Sequence, residues 1–222
     1  MRFSMTDLFD LAHSLAATLL SQKTYPWEAL AELKEFIVRT GEELPMEKYE
    51  EIAEHVWVAK NANVALSAFL GAPLIIGERT EIRHCAYIRG SVLVGNDCVV
   101  GNSTELKNSI LFDGVQVPHF NYVGDSILGH LAHLGAGTIT SNVKSDKSSV
   151  TIRDKATGEN FETELWKLGA LVGDGVEIGC NCVLNPGTVV GRNTSVYPLT
   201  SVRGVIPSDA IVKDMATIIK KR

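Results

Sequence analysis

Glycine and valine are almost missing from the first 50 residues of this 222-residue sequence. One of its 22 valines, Val38, falls within the first 50 residues, and one of its 19 glycines, Gly41, falls before residue 70. This excludes one uniform alternation of strand and helix and sets a helix-favouring front against a Val/Gly-rich body. Long apolar runs are absent too, which argues against a membrane-spanning helix, because spanning needs about 18 or more consecutive apolar residues. The first apolar stretch follows Asp7 and Asp10, contains His13 and has no basic leader, unlike a signal peptide. The four cysteines (Cys85, Cys98, Cys180, Cys182) show no paired metal-ligand spacing. Cys180 and Cys182 would point the same way from a strand and are poorly placed to bridge. Reduced thiols and a cytoplasmic protein are expected. A formal charge of -5 argues against nucleic acid as a main partner.

The front end reads as helical. Leu8, Leu11, Leu15 and Leu19 recur at the spacing of an amphipathic helix. Thr24 and Pro26 suit the start of a second helix, with Leu30, Leu33 and Ile37 on one face and Gly41 as its stop. Pro45 would open a short third helix running to about Ala53. Residues 1–55 are therefore expected to form a helical cap or packing arm, with partner docking or substrate covering as the alternative.

From Val58 onward an aliphatic residue returns every six positions: Val58, Val64, Leu70, Ile76, Ile82, Ile88, Val94, Val100 and Leu106. One-residue deletions shift the series to Leu111, Val117 and Val123, and then to Leu128 and Leu134. It resumes at Val172, Ile178, Leu184, Val190, Val196 and Val202. A small residue usually stands two positions earlier (Ala62, Ala86, Cys98, Thr104), and glycine often follows, which reads as relief of a turn. Such a period specifies a mainly β protein, a parallel β-helix of hexapeptides over residues 56–206, with three hexapeptides to each triangular coil. Cys98 and Cys182 take small inward positions, whereas Cys85 and Cys180 do not. The repeat breaks at about 141–168, where Ser149–Ile152 and Phe161–Leu165 flank Lys155-Ala156-Thr157-Gly158 and predict a protruding hairpin. Residues 207–222 form a C-terminal tail.

Equivalent positions in successive coils are strand neighbours, about 4.8 Å apart. Ile88, Leu106 and Val123 should therefore stack, aligning Arg89, Glu105, Lys107 and Tyr122 on the surface. The column is either a salt-bridged ladder or an anion site, most simply for phosphate. His119 lies on the turn leading into it.

Ile88-Arg89-Gly90, Val100 to Ser109, Val117 to Asp125 and Gly135-Ala136-Gly137-Thr138-Ile139-Thr140 together resemble the acetyltransferase domain of GlmU. GlmU is the bifunctional glucosamine-1-phosphate acetyltransferase and N-acetylglucosamine-1-phosphate uridylyltransferase. The resemblance covers about residues 58–206, and extends to short UDP-N-acetylglucosamine diphosphorylase-related proteins. It implies a left-handed coil, a homotrimer with sites between subunits, and acetyl-CoA as co-substrate with no metal. By the same resemblance, His119 is the general base and Glu105 supports it. Arg89, Lys107 and Tyr122 hold an amino-sugar phosphate, and Asn142 completes that pocket from a neighbouring subunit. Ala136, Cys180 and Pro198 line the acetyl-CoA path, with backbone amides near Gly135-Ala136-Gly137 stabilising the thioester oxyanion. Departures from the pattern are His133 in place of asparagine, Val143 in place of tyrosine, two candidates (Lys144 and Lys147) for one lysine, and the residues at Cys180 and Pro198.

Three rival readings differ in chemistry. A γ-type carbonic anhydrase needs three converging imidazoles, but His130 and His133 are three apart and no histidine follows His119 by five. Nucleotidyl transfer needs a Gly-rich phosphate loop in an α/β domain, and the first 58 residues offer neither the motif nor the length. A non-catalytic sugar-phosphate or nucleotide-sugar binding protein on the same scaffold is the third.

Overall fold

The computed structural model describes residues 4–221; residues 1–3 and 222, the extremities of the expected front segment and tail, lie outside the described residues. The body is a parallel β-solenoid of about nine turns. Its first face stacks Val56–Ala59, Leu74–Ile76, Val92–Val94, the ends of Glu105–Leu111 and Tyr122–Leu128, then Ala170–Val172, Thr188–Val190 and Val205–Ile206. The second stacks Asn63–Val64, Glu81–Ile82, Val99–Asn102, Gln116–His119, His133–Leu134, Glu177–Ile178, Ser195–Val196 and Ala210–Asp214. The third stacks Phe69–Leu70, Tyr87–Ile88, the starts of Glu105–Leu111 and Tyr122–Leu128, then Ile139–Thr140, Val183–Leu184 and Ser201–Val202. The one-residue deletions are absorbed within the stack, since Leu111 still pairs with both Val94 and Leu128.

The glycines that follow the aliphatic positions have a different cause from the one expected. They do not carry the left-handed torsion, which falls two residues later, as at Asp97 and Ser103. They stand where a Cβ would strike the next coil: at Gly101 it would lie 1.5 Å from the Pro118 carbonyl oxygen. Close approach, not turn relief, selects them. Cys98 and Cys182 are buried, and their thiols face the carbonyls of Phe112 and Tyr197, each at 3.1 Å.

The coil breaks at Thr140, an inward position held by a hydroxyl in place of an aliphatic chain. Thr140 Oγ1 accepts from the Gly124 N–H at 2.9 Å, and Ser126 Oγ accepts from the Ala170 N–H at 3.0 Å. These buried hydroxyls satisfy the backbone where the chain leaves the coil and returns. The excursion pairs Thr151–Arg153 with Asn160–Glu162 in an antiparallel hairpin.

The front end departs most from expectation. Leu8, Leu11, Leu15 and Leu19 do not share a helix; the chain forms Met5–Leu8, a 3-10 turn Leu11–His13, and Ala17–Ser21. Asp10 and Ser14 interrupt it by capping Ala12 and Ala16, each at 3.1 Å, while Asp174 of the coil holds the Asp10 N–H at 2.7 Å. Pro26 opens a 3-10 segment to Ala31, and Leu33–Glu42 is the α-helix. Gly41 lies inside that helix and does not stop it. The third helix does not form: Tyr49–Ala53 is a strand antiparallel to Val56–Ala59, covering the first coil's open edge. At the other end Thr217–Lys220 pairs antiparallel with Ala210–Asp214, so residues 207–222 include an edge hairpin.

The arm packs on the first face. Along that face the outward residues are themselves apolar: Trp57, Ile75, Leu93, Ile110 and Ile127 are all buried. Helix Leu33–Glu42 lies against the strands of Ile75, Leu93 and Ile110, and Pro26–Ala31 against that of Ile127. Each aliphatic chain so covered contributes about 1.5–3 kcal/mol. The contact is close at Gly41, where a Cβ would lie 2.2 Å from Trp57 Cε3. Helix propensity alone favours Gly41→Ala by about 1 kcal/mol. Overpacking against the Trp57 ring opposes it by about 1–3 kcal/mol and should win, so urea unfolding is expected to show a lower midpoint for Gly41→Ala.

Candidate active site

The expected site residues fall on two corners that flank the third face. The corner between the second and third faces carries His119, Ala136, Cys180 and Pro198 at equivalent places in successive coils. Backbone bonds fix this column: Gly137 N–H donates to the His119 carbonyl (3.0 Å), Asn181 N–H to that of Ala136 (2.8 Å), and Leu199 N–H to that of Cys180 (2.9 Å). Residues scattered over 80 positions thus form one line.

Asn121, which the sequence analysis did not single out, pins the His119 turn to the next coil. Its buried side chain accepts from the His119 N–H (3.2 Å) and donates to the Gly135 (2.8 Å) and Thr138 (3.3 Å) carbonyls. The signal lay in its position, an inward corner site that other coils fill with alanine, threonine or cysteine. The His119 imidazole is exposed and, among the described residues, makes no hydrogen bond or ion pair. The glycine turn offers fewer donors than expected. Gly135 N–H is spent on Ile178 and Gly137 N–H on His119, leaving the Ala136 N–H open at the corner.

The corner between the third and first faces carries Arg89, Lys107 and Asn142. Ile88, Leu106 and Val123 stack in register, and Arg89 lies beside Lys107. The surface line resolves into two columns, with Glu105 paired to Tyr122 in one and Lys107 to Gly124 in the other. Ion pairs link and extend them. Arg89 Nη1 lies 2.9 Å from Glu105 Oε1, and Lys107 Nζ lies 2.8 Å from Asp125 Oδ1. Glu105 therefore engages Arg89, and no bond joins it to His119. Its carboxylate pushes the Arg89 guanidinium pKa up.

Asp125 is the hidden centre of this corner. It is buried, lies in the left-handed region at φ 49°, and also accepts from Asn108 Nδ2 (2.9 Å) and Asn142 Nδ2 (2.5 Å). Within its own chain the Asn142 amide also donates to Tyr122 Oη at 3.2 Å. Among the described residues Asn142 Oδ1 has no hydrogen-bond partner, both side-chain bonds being made by Nδ2. The Tyr122 hydroxyl leans over Gly124, where a Cβ would lie 2.5 Å from it. Burial first, and then the Asp125 and Glu105 charges, push the Tyr122 pKa up. The phenol therefore stays protonated, with its own O–H free to donate.

Other candidates fall elsewhere. His133 Nδ1 pairs with Glu177 at 2.8 Å, and His130 stacks on His13 of the arm at 3.7 Å. Among the described residues no group of three or more His, Cys, Asp or Glu is placed to hold a metal ion. Nor is any helix among them long and apolar enough to cross a membrane.

A stack of hexapeptides with a column of corner residues defines a hexapeptide-repeat β-solenoid. Comparison with known proteins places it more closely. Residues 70–160 match the family model described as the GMPPB C-terminal domain. The chain is 39% identical over 138 residues to the bifunctional protein GlmU of Methanococcus vannielii, covering 62% of this chain and 33% of that protein. It is 30% identical over 202 residues to GlmU of Methanococcus maripaludis, covering 89% and 48%. A bifunctional sugar-1-phosphate nucleotidylyltransferase/acetyltransferase of Sulfurisphaera tokodaii is 33% identical over 113 residues, covering 51% and 28%. The coiled body is therefore GlmU-like, and the chain spans from about a quarter to a half of these relatives' lengths. Among solved structures, AntD, an N-acyltransferase from Bacillus cereus, aligns with a TM-score of 0.37 at 15% identity, covering 82% of this chain and 87% of that one.

Burial pushes the Cys98 thiol up to about 12 and raises that of Cys182, while Cys85 and Cys180 are exposed. Iodoacetamide at pH 8 should label two thiols, Cys85 and Cys180, in the native protein and all four after denaturation, as read by mass spectrometry.

Proposed function

We propose that this protein is a CoA-dependent N-acetyltransferase that moves an acetyl group from acetyl-CoA to the amine of an amino-sugar 1-phosphate of the glucosamine-1-phosphate kind. The observation that carries the reading is the hydrogen-bonded column His119–Ala136–Cys180–Pro198, which sets an unencumbered imidazole beside an open backbone N–H. Sequence similarity to the GlmU proteins supports it.

In this reading His119 takes a proton from the amine as nitrogen attacks the thioester carbonyl, work suited to an imidazole near neutral pH. The Ala136 N–H faces the developing oxyanion. Arg89, Lys107 and the Tyr122 hydroxyl hold the phosphate, and Asn142 Oδ1 accepts from a sugar hydroxyl. Glu105 orients Arg89 in this scheme, because that is where its carboxylate lies. Coenzyme A follows the corner past Cys180 and Pro198. No step requires a metal.

Coenzyme A release from acetyl-CoA with glucosamine-1-phosphate should fall by about 10²–10⁴-fold in His119→Ala, the usual weight of a general base. Acetyl-CoA should also slow alkylation of Cys180 but not of Cys85. Binding without turnover across amino-sugar phosphates and acyl donors would replace the enzyme by a sensor on the same scaffold.

A homotrimer with sites between copies is part of the proposal. It is supported by exposed apolar residues on the third face, Phe69 and Tyr87 on one side of Glu105 and Tyr122, and Ile139 and Val183 on the other. Sedimentation should give three copies for the wild type, and Ile139→Glu should lower that number.

A further inference from the structure

The cationic groups near the third face stand on one side of it. Arg89, Lys107 and Asn142 mark the acceptor corner. Beside that corner the hairpin and the last coils enclose a cavity of about 490 Å³, lined by Lys144, Arg153, Lys155 and Arg203 and by Ser141 and Val143, the chain neighbours of Asn142. The opposite corner, where the acceptor amine meets His119 in the proposed transfer, has little to hold a sugar. One coil below His119, the Ser103 hydroxyl donates to Asn102 Oδ1 at 2.7 Å, so these two side chains engage each other. One coil above stand Ala136 and Gly137, which have no reach. On these three coils Phe120 is the one large side chain beside the imidazole at this corner.

Packing does not account for Phe120. It is 59% exposed and stands outside the buried core. Its backbone lies in the left-handed region at φ 51°, where a bulky side chain is an outlier. The turn imposes that torsion from both neighbouring coils. Phe120 N–H donates to the Asn102 carbonyl at 2.8 Å, and Gly137 N–H donates to the His119 carbonyl at 3.0 Å. The Asn121 side chain then ties the turn to the carbonyls of Gly135 and Thr138. The equivalent place takes the same torsion with Ser103 one coil below, and with Gly137 and Asn181 in the two coils above. Glycine and asparagine enter this region readily. Leu199, beside Pro198, is the other bulky apolar residue there, at the far end of the Ala136–Cys180 run. The fold therefore accepts a smaller or more polar residue where Phe120 stands. A strained torsion held in place beside an unencumbered imidazole points to a ligand.

We propose that Phe120 is a substrate-contacting residue whose ring covers an apolar face of the acceptor's sugar ring while the amine stands at His119. The proposal rests on the acetyl transfer proposed above. Phe120 follows His119 in the direction of Tyr122, so it lies on the acceptor's side of the donor run through Ala136, Cys180 and Pro198. A sugar ring carries C–H groups on its faces, and an aromatic ring removes them from water without competing for the hydroxyls. The acceptor is then held by charge at its phosphate and by apolar contact at its amine end.

Steady-state kinetics of the full chain with glucosamine-1-phosphate and acetyl-CoA test the contact. Phe120→Asn brings in the residue that Asn181 supplies at the same place two coils on. It should raise KM for glucosamine-1-phosphate at least about tenfold, as the apolar surface covered by the ring returns to water, and leave KM for acetyl-CoA unchanged. Phe120→Tyr, which keeps the ring, should hold the acceptor KM well below that of Phe120→Asn. The Tm of Phe120→Asn should not fall, because asparagine tolerates the left-handed torsion, and sedimentation should give the same number of copies as for the wild type. An unchanged acceptor KM, an equal loss in Phe120→Tyr, a rise in both KM values, a lower Tm or fewer copies would each overturn the proposal, the last by assigning the ring to a contact between copies. Calorimetric titration with glucosamine-1-phosphate alone separates this contact from the reaction. A wild type that transfers no acetyl group but binds the sugar phosphate more tightly than Phe120→Asn would refute the enzyme reading and leave the contact standing. Equal affinity in the two proteins, or no binding to either, would overturn the contact.

Discussion

Every functional feature of this molecule depends on the backbone ladder that joins each coil to the next. A parallel ladder holds equivalent residues about 4.8 Å apart, so a position repeated along the sequence becomes a continuous line on the surface. His119 and Pro198 are distant in sequence yet share one line, because Ala136 and Cys180 stand between them and each carbonyl accepts a bond from the coil above. The same ladder imposes its own sterics. The next coil's backbone passes so close to Gly101 that no side chain fits there, and Asn121 holds the His119 turn only because the Gly135–Thr138 turn is bonded into place above it.

The three faces are put to different uses. The first is apolar on both sides of its strands and is covered by the arm. The second shows polar residues outward, such as Glu81, Gln116 and Glu177. The third separates the two corners that hold all the candidate chemistry. Along it, five residues lie between His119 and Asp125, no more than about 20 Å of extended chain, and Tyr122 stands midway with its hydroxyl turned toward Asn142. A ligand lying across this face can therefore touch the Arg89–Lys107 corner at one end and an imidazole at the other.

The coil was legible in the sequence because its period is strict and its inward positions are almost all aliphatic. The corner column was legible for the same reason once the resemblance supplied roles. The arm was not, for two physical reasons. Leucines at helical spacing say nothing of Asp10 and Ser14, whose caps break the helix, and the capture of Asp10 by Asp174 is a tertiary contact. The landing surface was nevertheless written in the chain, in Ile75, Leu93, Ile110 and Ile127, each one residue before an inward aliphatic. An outward strand position that stays apolar coil after coil announces a cover. Glu105 was misplaced for a different reason: spacing puts residues into columns but does not choose between neighbouring partners, and Arg89 lay closer to hand than His119.

The distribution of charge decides how the two halves of the acceptor corner differ. At Arg89 and Lys107 the cations are matched one for one, and Asp125 is buried, so opening the Lys107 pair would strand a carboxylate at a cost of several kcal/mol. That ion pair works first as architecture, fixing Asn142 and through it Tyr122. The Lys107–Asp125 pair therefore holds the neighbouring side chains still, while the ammonium keeps further N–H donors for a ligand. Around the hairpin cavity Lys144 faces Asp146 at 3.7 Å and Arg203 meets Asn185, while Arg153 and Lys155 stand exposed without a side-chain partner among the described residues. The insertion at residues 141–168 breaks the repeat at Thr140, and by doing so gives the corner the one thing a bare coil lacks: a concave wall with cations on it.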